Sequence, residues 1–210
     1  LVDPVFEVRR VPFVLLPAEK VQAIILTSAN AAFALGRELV EKPVFAVGQA
    51  TARAAQARGA FNLRIAGGNW EDLAARIIAE LEPSTLRILH LAGRNVQGEL
   101  EPRLSAAGFL YERVIVYETV PREELGSRTR HALARGAIGA ILLYSPRTAA
   151  TFARLICQAG LEHRLKGILC VCLSEAVAEE VVDLPGLEIL VASERDQKAL
   201  LARLEEHAAG

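Results

Sequence analysis

The stretch Ala23–Leu35, AIILTSANAAFAL, returns in altered form as Ala140–Phe152, AILLYSPRTAATF. Each copy has an apolar run of strand length, a short polar turn, and an Ala-rich segment with helical spacing. Working outward, Pro43–Gly59 (PVFAVGQATARAAQARG) is answered by Gly167–Val182 (GILCVCLSEAVAEEVV). Asn69–Leu81 (NWEDLAARIIAEL) is answered by Arg195–Glu206 (RDQKALLARLEE). The offset drifts only from 117 residues at the first pair to 124 at the second, so small insertions account for it. A strand-turn-helix unit repeated in order implies two similar lobes, and a cleft between lobes is where a ligand is expected.

In the first half the apolar runs Val21–Thr27, Val44–Val47, Asn62–Ala66 and Arg87–Leu91 read as strands. They alternate with helical patterns at Asn30–Val40, Gln49–Arg58, Asn69–Leu81 and Glu99–Ala107, the last stopped by Gly108. Such alternation predicts a parallel sheet with helices on both faces. The second half supplies strands at Ile138–Tyr144, Ile168–Cys172 and Leu187–Ala192. Helices are expected at Thr148–Ala159, Glu175–Val182 and Lys198–His207. That is three strand-helix units against four, and a strand and helix of roughly 20–25 residues are expected ahead of Leu1. Val5–Leu16 and Arg113–Val120, rich in β-branched residues, suit a two-stranded connector that permits hinge motion. The expected division is residues 10–118 for the first lobe, and 1–9 with 119–210 for the second.

The 210 residues are 52% hydrophobic and 23% charged, with a net charge of −1. This lacks the basic field of a general nucleic-acid binder. No apolar run approaches the ~20 residues needed to cross a bilayer, and no signal peptide opens the chain, so a cytoplasmic location is expected. Arg outnumbers Lys 20 to 4, which serves bidentate carboxylate recognition or reflects genome composition. Cys157, Cys170 and Cys172 form no CxxC pair and read as packing residues in a reducing compartment. The chain contains no methionine and begins with Leu1, which is not expected to be the biological start.

Five segments in order carry a resemblance: LTSAN (Leu26–Asn30), FAVGQATARA (Phe45–Ala54), LAGR (Leu91–Arg94), VIVYETV (Val114–Val120) and LYSPRTAATF (Leu143–Phe152). Together they resemble the uroporphyrinogen-III synthase family over nearly the whole chain. The resemblance implies an α/β fold of two Rossmann-like or flavodoxin-like parallel-sheet lobes, joined by a two-stranded linker with a cleft between them. It implies a cofactor-independent lyase that closes hydroxymethylbilane, a linear tetrapyrrole bearing acetates and propionates, into uroporphyrinogen III. The terminal hydroxyl is lost to give an azafulvene, and ring D is inverted through a spiro intermediate. Two departures stand out. The family's opening strand ending in Thr-Arg-Pro has no counterpart, and Leu173 stands in VCLSEAVAE (Val171–Glu179) where the family usually has glycine.

Strand-to-helix turns gather backbone N–H groups and short polar side chains at the C-terminal edge of a parallel sheet. The candidates for substrate binding are Thr27, Ser28, Asn30, Gly48, Thr51, Gly93, Arg94, Ser145, Arg147 and Ser174. Helix N-termini and hydroxyls suit carboxylates, and Arg94 and Arg147 add charge. The same residues also serve as N-caps and turn formers in any α/β fold. Tyr117 matches the tyrosine of the family's VxVYxT segment, beside the linker and facing the cleft. A phenol is protonated at neutral pH and can donate to the departing hydroxyl. Its other reading is packing in the hinge.

Other chemistries lack their motifs: there is no GxGxxG after a strand, no GxxxxGK[ST] and no GxSxG. His90, His131, His163 and His207 have no ligand spacing, so no metal is expected, and His90 on its strand reads as a core histidine. A monomer acting on a small molecule, with no nucleic-acid or membrane partner, is expected. The reading from a different class is a two-lobed ligand-binding or regulatory protein that kept the fold without the chemistry.

Overall fold

The computed structural model describes residues 1–95 and 98–208. The chain divides into two compact units, Val8–Val120 and Leu1–Glu7 with Pro121–Gly210. The chain passes between them inside two strands, β1 (Phe6–Arg10) and β6 (Leu110–Pro121), which are neighbours in one sheet. Of the expected extended segment Val5–Leu16, only Phe6–Arg10 is strand.

Unit Val8–Val120 is built on β2 (Val21–Leu26), β3 (Val44–Ala46), β4 (Leu63–Ile65) and β5 (Arg87–Gly93). The sheet order is β1-β6-β5-β2-β3-β4, and the pairs from β6 to β4 are all parallel. Alternation sends Ile24, Leu26, Val44, Leu89 and Leu91 to one face and Ala23, Ile25, Phe45 and Ile88 to the other. The first face is covered by the 3-10 segment Ala29–Ala34 and by α1 (Gln49–Gln56), through Ala31, Ala34 and Ala55. The second is covered by α2 (Trp70–Glu80) and α3 (Leu100–Ala106), through Leu73, Ile77, Leu100 and Leu104. Both faces are therefore buried, which is why these strands are almost continuously apolar.

The expected helix Asn30–Val40 is instead the 3-10 segment Ala29–Ala34, closed by Leu35 in an extended conformation (ψ 101°). Gly36 follows, and Pro43 lies seven residues on, leaving too little good helix-forming sequence for propagation.

The other unit has a three-stranded parallel sheet of order β7-β8-β9, from β7 (Ala140–Leu143), β8 (Ile168–Cys172) and β9 (Leu187–Val191). α4 (Ser127–Ala134), α5 (Pro146–Gln158) and α6 (Glu175–Ala178) pack Leu133, Phe152, Leu155, Ile156 and Val177 onto one face. α7 (Gln197–Ala208) places Leu200 and Leu204 against Leu169, Val171 and Leu190 on the other. α6 is shorter than the expected Glu175–Val182, because the chain continues in i→i−3 turns at Val181 and Leu184. β-Branched Val181 and Val182 disfavour further α-helix there.

β7 matches β2 in the internal repeat, yet β2 is flanked on both sides and β7, among the described residues, on one. A mostly apolar groove of about 610 Å³ runs along β7, lined by Leu1–Asp3, Val5, Thr129, Leu133 and Ile138–Tyr144 among others. The Thr129 hydroxyl in its wall is buried and finds no hydrogen-bond partner among the described residues. Asp3 ties the chain's beginning down, accepting from Gly126 N–H at 2.9 Å and pairing with Arg122 at 3.2 Å.

Candidate active site

Each candidate turn follows the C-terminal end of a parallel strand. Thr27 and Ser28 follow β2, and both are half-buried. Ser28 caps the 3-10 segment by accepting from Asn30 N–H at 3.2 Å, while Asn30 itself is exposed. Gly48 is the N-cap of α1 in an extended conformation, with open space where a side chain would stand. Thr51, one turn into α1, is buried. Local rules thus explain Ser28 and Gly48 as helix starters and leave the Thr27 hydroxyl for another purpose.

At the end of β5 the geometry is set by a bulge. Leu91 pairs with Val114 and Ala92 with Ile115, but Gly93 pairs with Tyr117, so Val116 is an extra residue in β6. Strict alternation would put Tyr117 on the face of Tyr111, Arg113 and Ile115. The extra residue moves it to the face of Leu89, Leu91 and Val116, where it is buried. Its ring lies across Gly93, so a Cβ on Gly93 would stand only 2.7 Å from the ring's Cζ. Gly93 is therefore the residue that lets the Tyr117 ring lie where it does. Among the described residues no hydrogen bond is formed to the Tyr117 hydroxyl.

Arg94 is exposed, donates its backbone N–H to Tyr117 C=O at 2.9 Å, and pairs its side chain with Glu118 at 2.9 Å. Beneath it, Arg113 donates from Nη2 to the carbonyls of Gly93 (2.8 Å) and Arg94. A guanidinium thus satisfies the carbonyls at the end of β5.

In the other unit Ser145 caps α5, accepting from Thr148 N–H at 3.2 Å with the two hydroxyls 2.8 Å apart. Pro146 at the first helical turn completes a strong helix start. Arg147 is exposed and lies over the Phe6 ring at 4.4 Å, a cation-π contact. Ser174 precedes α6 without a side-chain cap bond, and Leu173 beside it turns inward onto the apolar clusters.

The profile of the family described as uroporphyrinogen-III synthase HemD matches residues 1–202. The chain belongs to the uroporphyrinogen-III synthase family. Members of this family are cyclising lyases of tetrapyrrole biosynthesis. Among solved structures, the uroporphyrinogen-III synthetase of Helicobacter pylori is similar to it at 19% identity and a TM-score of 0.60. That match covers 97% of this chain and 91% of the other, a likeness of fold. A mutant uroporphyrinogen III synthase from Thermus thermophilus matches at 16% identity and a TM-score of 0.48, covering 98% and 88% of the two chains. No curated protein sequence matches the chain significantly. Among the described residues no helix is long and apolar enough to cross a membrane.

A polar group outside the family's motif also lies beneath Thr27. His90, 1% exposed on β5, has Nε2 at 3.0 Å from Thr27 Oγ1 and Nδ1 at 2.6 Å from the Tyr111 hydroxyl. Burial first, and the Arg113 charge second, pull the His90 pKa down to about 3, so the ring is neutral. Burial pushes the Tyr111 phenol up to about 12, with Arg113 opposing and Glu101 reinforcing. Sequence reasoning placed His90 in the core but missed its partners. The available signal was the polar run Tyr111–Arg113 (YER) just ahead of the apolar run Val114–Val116.

Proposed function

We propose that this chain is a uroporphyrinogen-III synthase that converts hydroxymethylbilane to uroporphyrinogen III with loss of water and inversion of ring D. The observation that carries the reading is the family match over residues 1–202. The polar turns support it. Thr27, Ser28, Asn30, Gly48, Thr51, Gly93 and Arg94 in one unit, and Ser145, Arg147 and Ser174 in the other, follow strand ends where hydroxyls, N–H groups and guanidinium can host the substrate's carboxylates.

The chemistry needs a leaving hydroxyl to depart as water and the resulting azafulvene to be attacked by the substituted carbon of ring D. The Tyr117 hydroxyl is the donor we assign to the departing oxygen; its lack of another partner among the described residues supports that role. Holding a flexible polyacid with its two ends adjacent contributes more, because ring closure of the intermediate becomes a contact between oriented groups. No cofactor takes part in this scheme. We place the reaction in the cytoplasm, consistent with thiols at Cys157, Cys170 and Cys172 that are not joined in disulfides.

The test supplies hydroxymethylbilane and separates the products by isomer. Formation of the type III isomer is the expected result, and Tyr117→Phe lowers kcat with little change in KM. If only the type I isomer of the uncatalysed closure forms, the synthase reading fails, and a ligand-binding role without the chemistry becomes the better reading.

A further inference from the structure

The Thr27 hydroxyl is held from behind by the His90–Tyr111 pair, an arrangement that joins the turn after β2 to β5 and β6 across sequence separations of 63 and 21 residues. A neutral imidazole carries one N–H, so the chain of three groups has two possible directions. In the first, the Tyr111 O–H donates to Nδ1, Nε2–H donates to Thr27 Oγ1, and the threonine proton is left to point outward. In the second, both bonds reverse, the threonine spends its proton on Nε2, and it offers only lone pairs outward.

Bond lengths favour the first. Hydroxyl-to-oxygen bonds centre at about 2.7–2.8 Å and N–H to oxygen bonds at about 2.9–3.0 Å, so the shorter contact fits a hydroxyl donor better. The short 2.6 Å contact suits a phenol donor, and the 3.0 Å contact suits an imidazole N–H. The reverse direction would also leave the phenol proton without an acceptor among the described residues' hydrogen bonds. Arg113, facing His90 from β6, disfavours the imidazolium, which would present protons on both sides.

We propose that His90 and Tyr111 are positioning residues that fix the polarity of the Thr27 hydroxyl, making it an outward hydrogen-bond donor to a substrate carboxylate. This rests on the proposed function, since a polyacid requires donors and is repelled by lone pairs. Thr27 is half-buried and follows the C-terminal end of β2, so a proton not spent on His90 is available to a ligand at that strand end.

The experiment has two arms. Nitrogen-15 NMR of the histidine-labelled protein, assigned with His90→Gln, reads the tautomer without any substrate. The expected result is a neutral ring protonated on Nε2 and accepting on Nδ1 throughout pH 5–8. A ring protonated on Nδ1 overturns the proposal.

Kinetics with hydroxymethylbilane form the second arm. His90→Phe and Tyr111→Phe are expected to raise KM about 3- to 10-fold, the value of one hydrogen bond, with smaller changes in kcat. His90→Gln, whose amide can accept from Tyr111 and donate to Thr27, is expected to restore KM. Equal KM in all variants, or equal damage from Gln and Phe, also overturns it. A wild-type protein that yields no type III isomer refutes the proposed function and with it the substrate half of this inference, while the tautomer arm decides the hydrogen-bond direction by itself.

Discussion

Replacing Gly93 by alanine isolates the packing that places Tyr117. The added Cβ would stand 2.7, 2.8 and 2.9 Å from Cζ, Cε2 and Oη of the ring. Carbon atoms in comfortable contact are about 3.5–4.0 Å apart, so the ring must retreat by close to an ångström or turn. Backbone strain plays no part, because Gly93 lies in a strand without a positive φ. Overpacking of this kind costs about 1–3 kcal/mol, and the ring lies over a buried cluster that includes Leu89, Leu91 and Val116. The assay is a double-mutant cycle by urea unfolding. In the wild-type background Gly93→Ala should lower stability by about 1–3 kcal/mol, and in the Tyr117→Val background, where the ring is gone, by under about 0.5 kcal/mol. The same single variant should lower turnover, since it moves the phenol. Equal losses in both backgrounds would show that Gly93 matters for some reason other than the ring, and the account of the bulge would fail.

Three further outcomes are expected. His90 has a native pKa of about 3 against about 6.5 unfolded, so its contribution to stability is complete above pH 6.5 and is lost as pH falls toward 3. With Arg113, Tyr111 and Thr27 as its surroundings, wild type should lose about 1.4 kcal/mol per pH unit between pH 6 and 4 relative to His90→Gln. Unfolding curves for the two proteins that stay parallel over that range would contradict this. Arg94→Ala should change stability by under about 1 kcal/mol, because its pair with Glu118 is exposed, yet it should raise KM; a stability loss with unchanged KM would make Arg94 structural. Ser145→Ala removes the cap bond to Thr148 N–H and should cost about 1 kcal/mol of stability, read by thermal unfolding, while Ser145→Asp should recover most of it.

By itself, the sequence determined the local units and their order. The apolar runs became β2, β3, β5 and β8 because strands buried on both faces need no alternation, and Ser28, Asn69 and Ser145 announced helix starts through caps that act within three residues. The repeat likewise makes two α/β units legible along the chain. The tertiary structure alone decided which side chains share a face at the strand ends. One extra residue, Val116, carries Tyr117 from the face of Tyr111 and Arg113 to that of Gly93, and nothing in the spacing of VIVYETV announces it. The Thr27–His90–Tyr111 chain depended on the register of three strands far apart in sequence, as did the choice of Arg113 to satisfy the end of β5. Period and capping are properties of neighbours along the chain, whereas register is settled by pairing and packing between distant segments, where a shift of one residue exchanges the two faces.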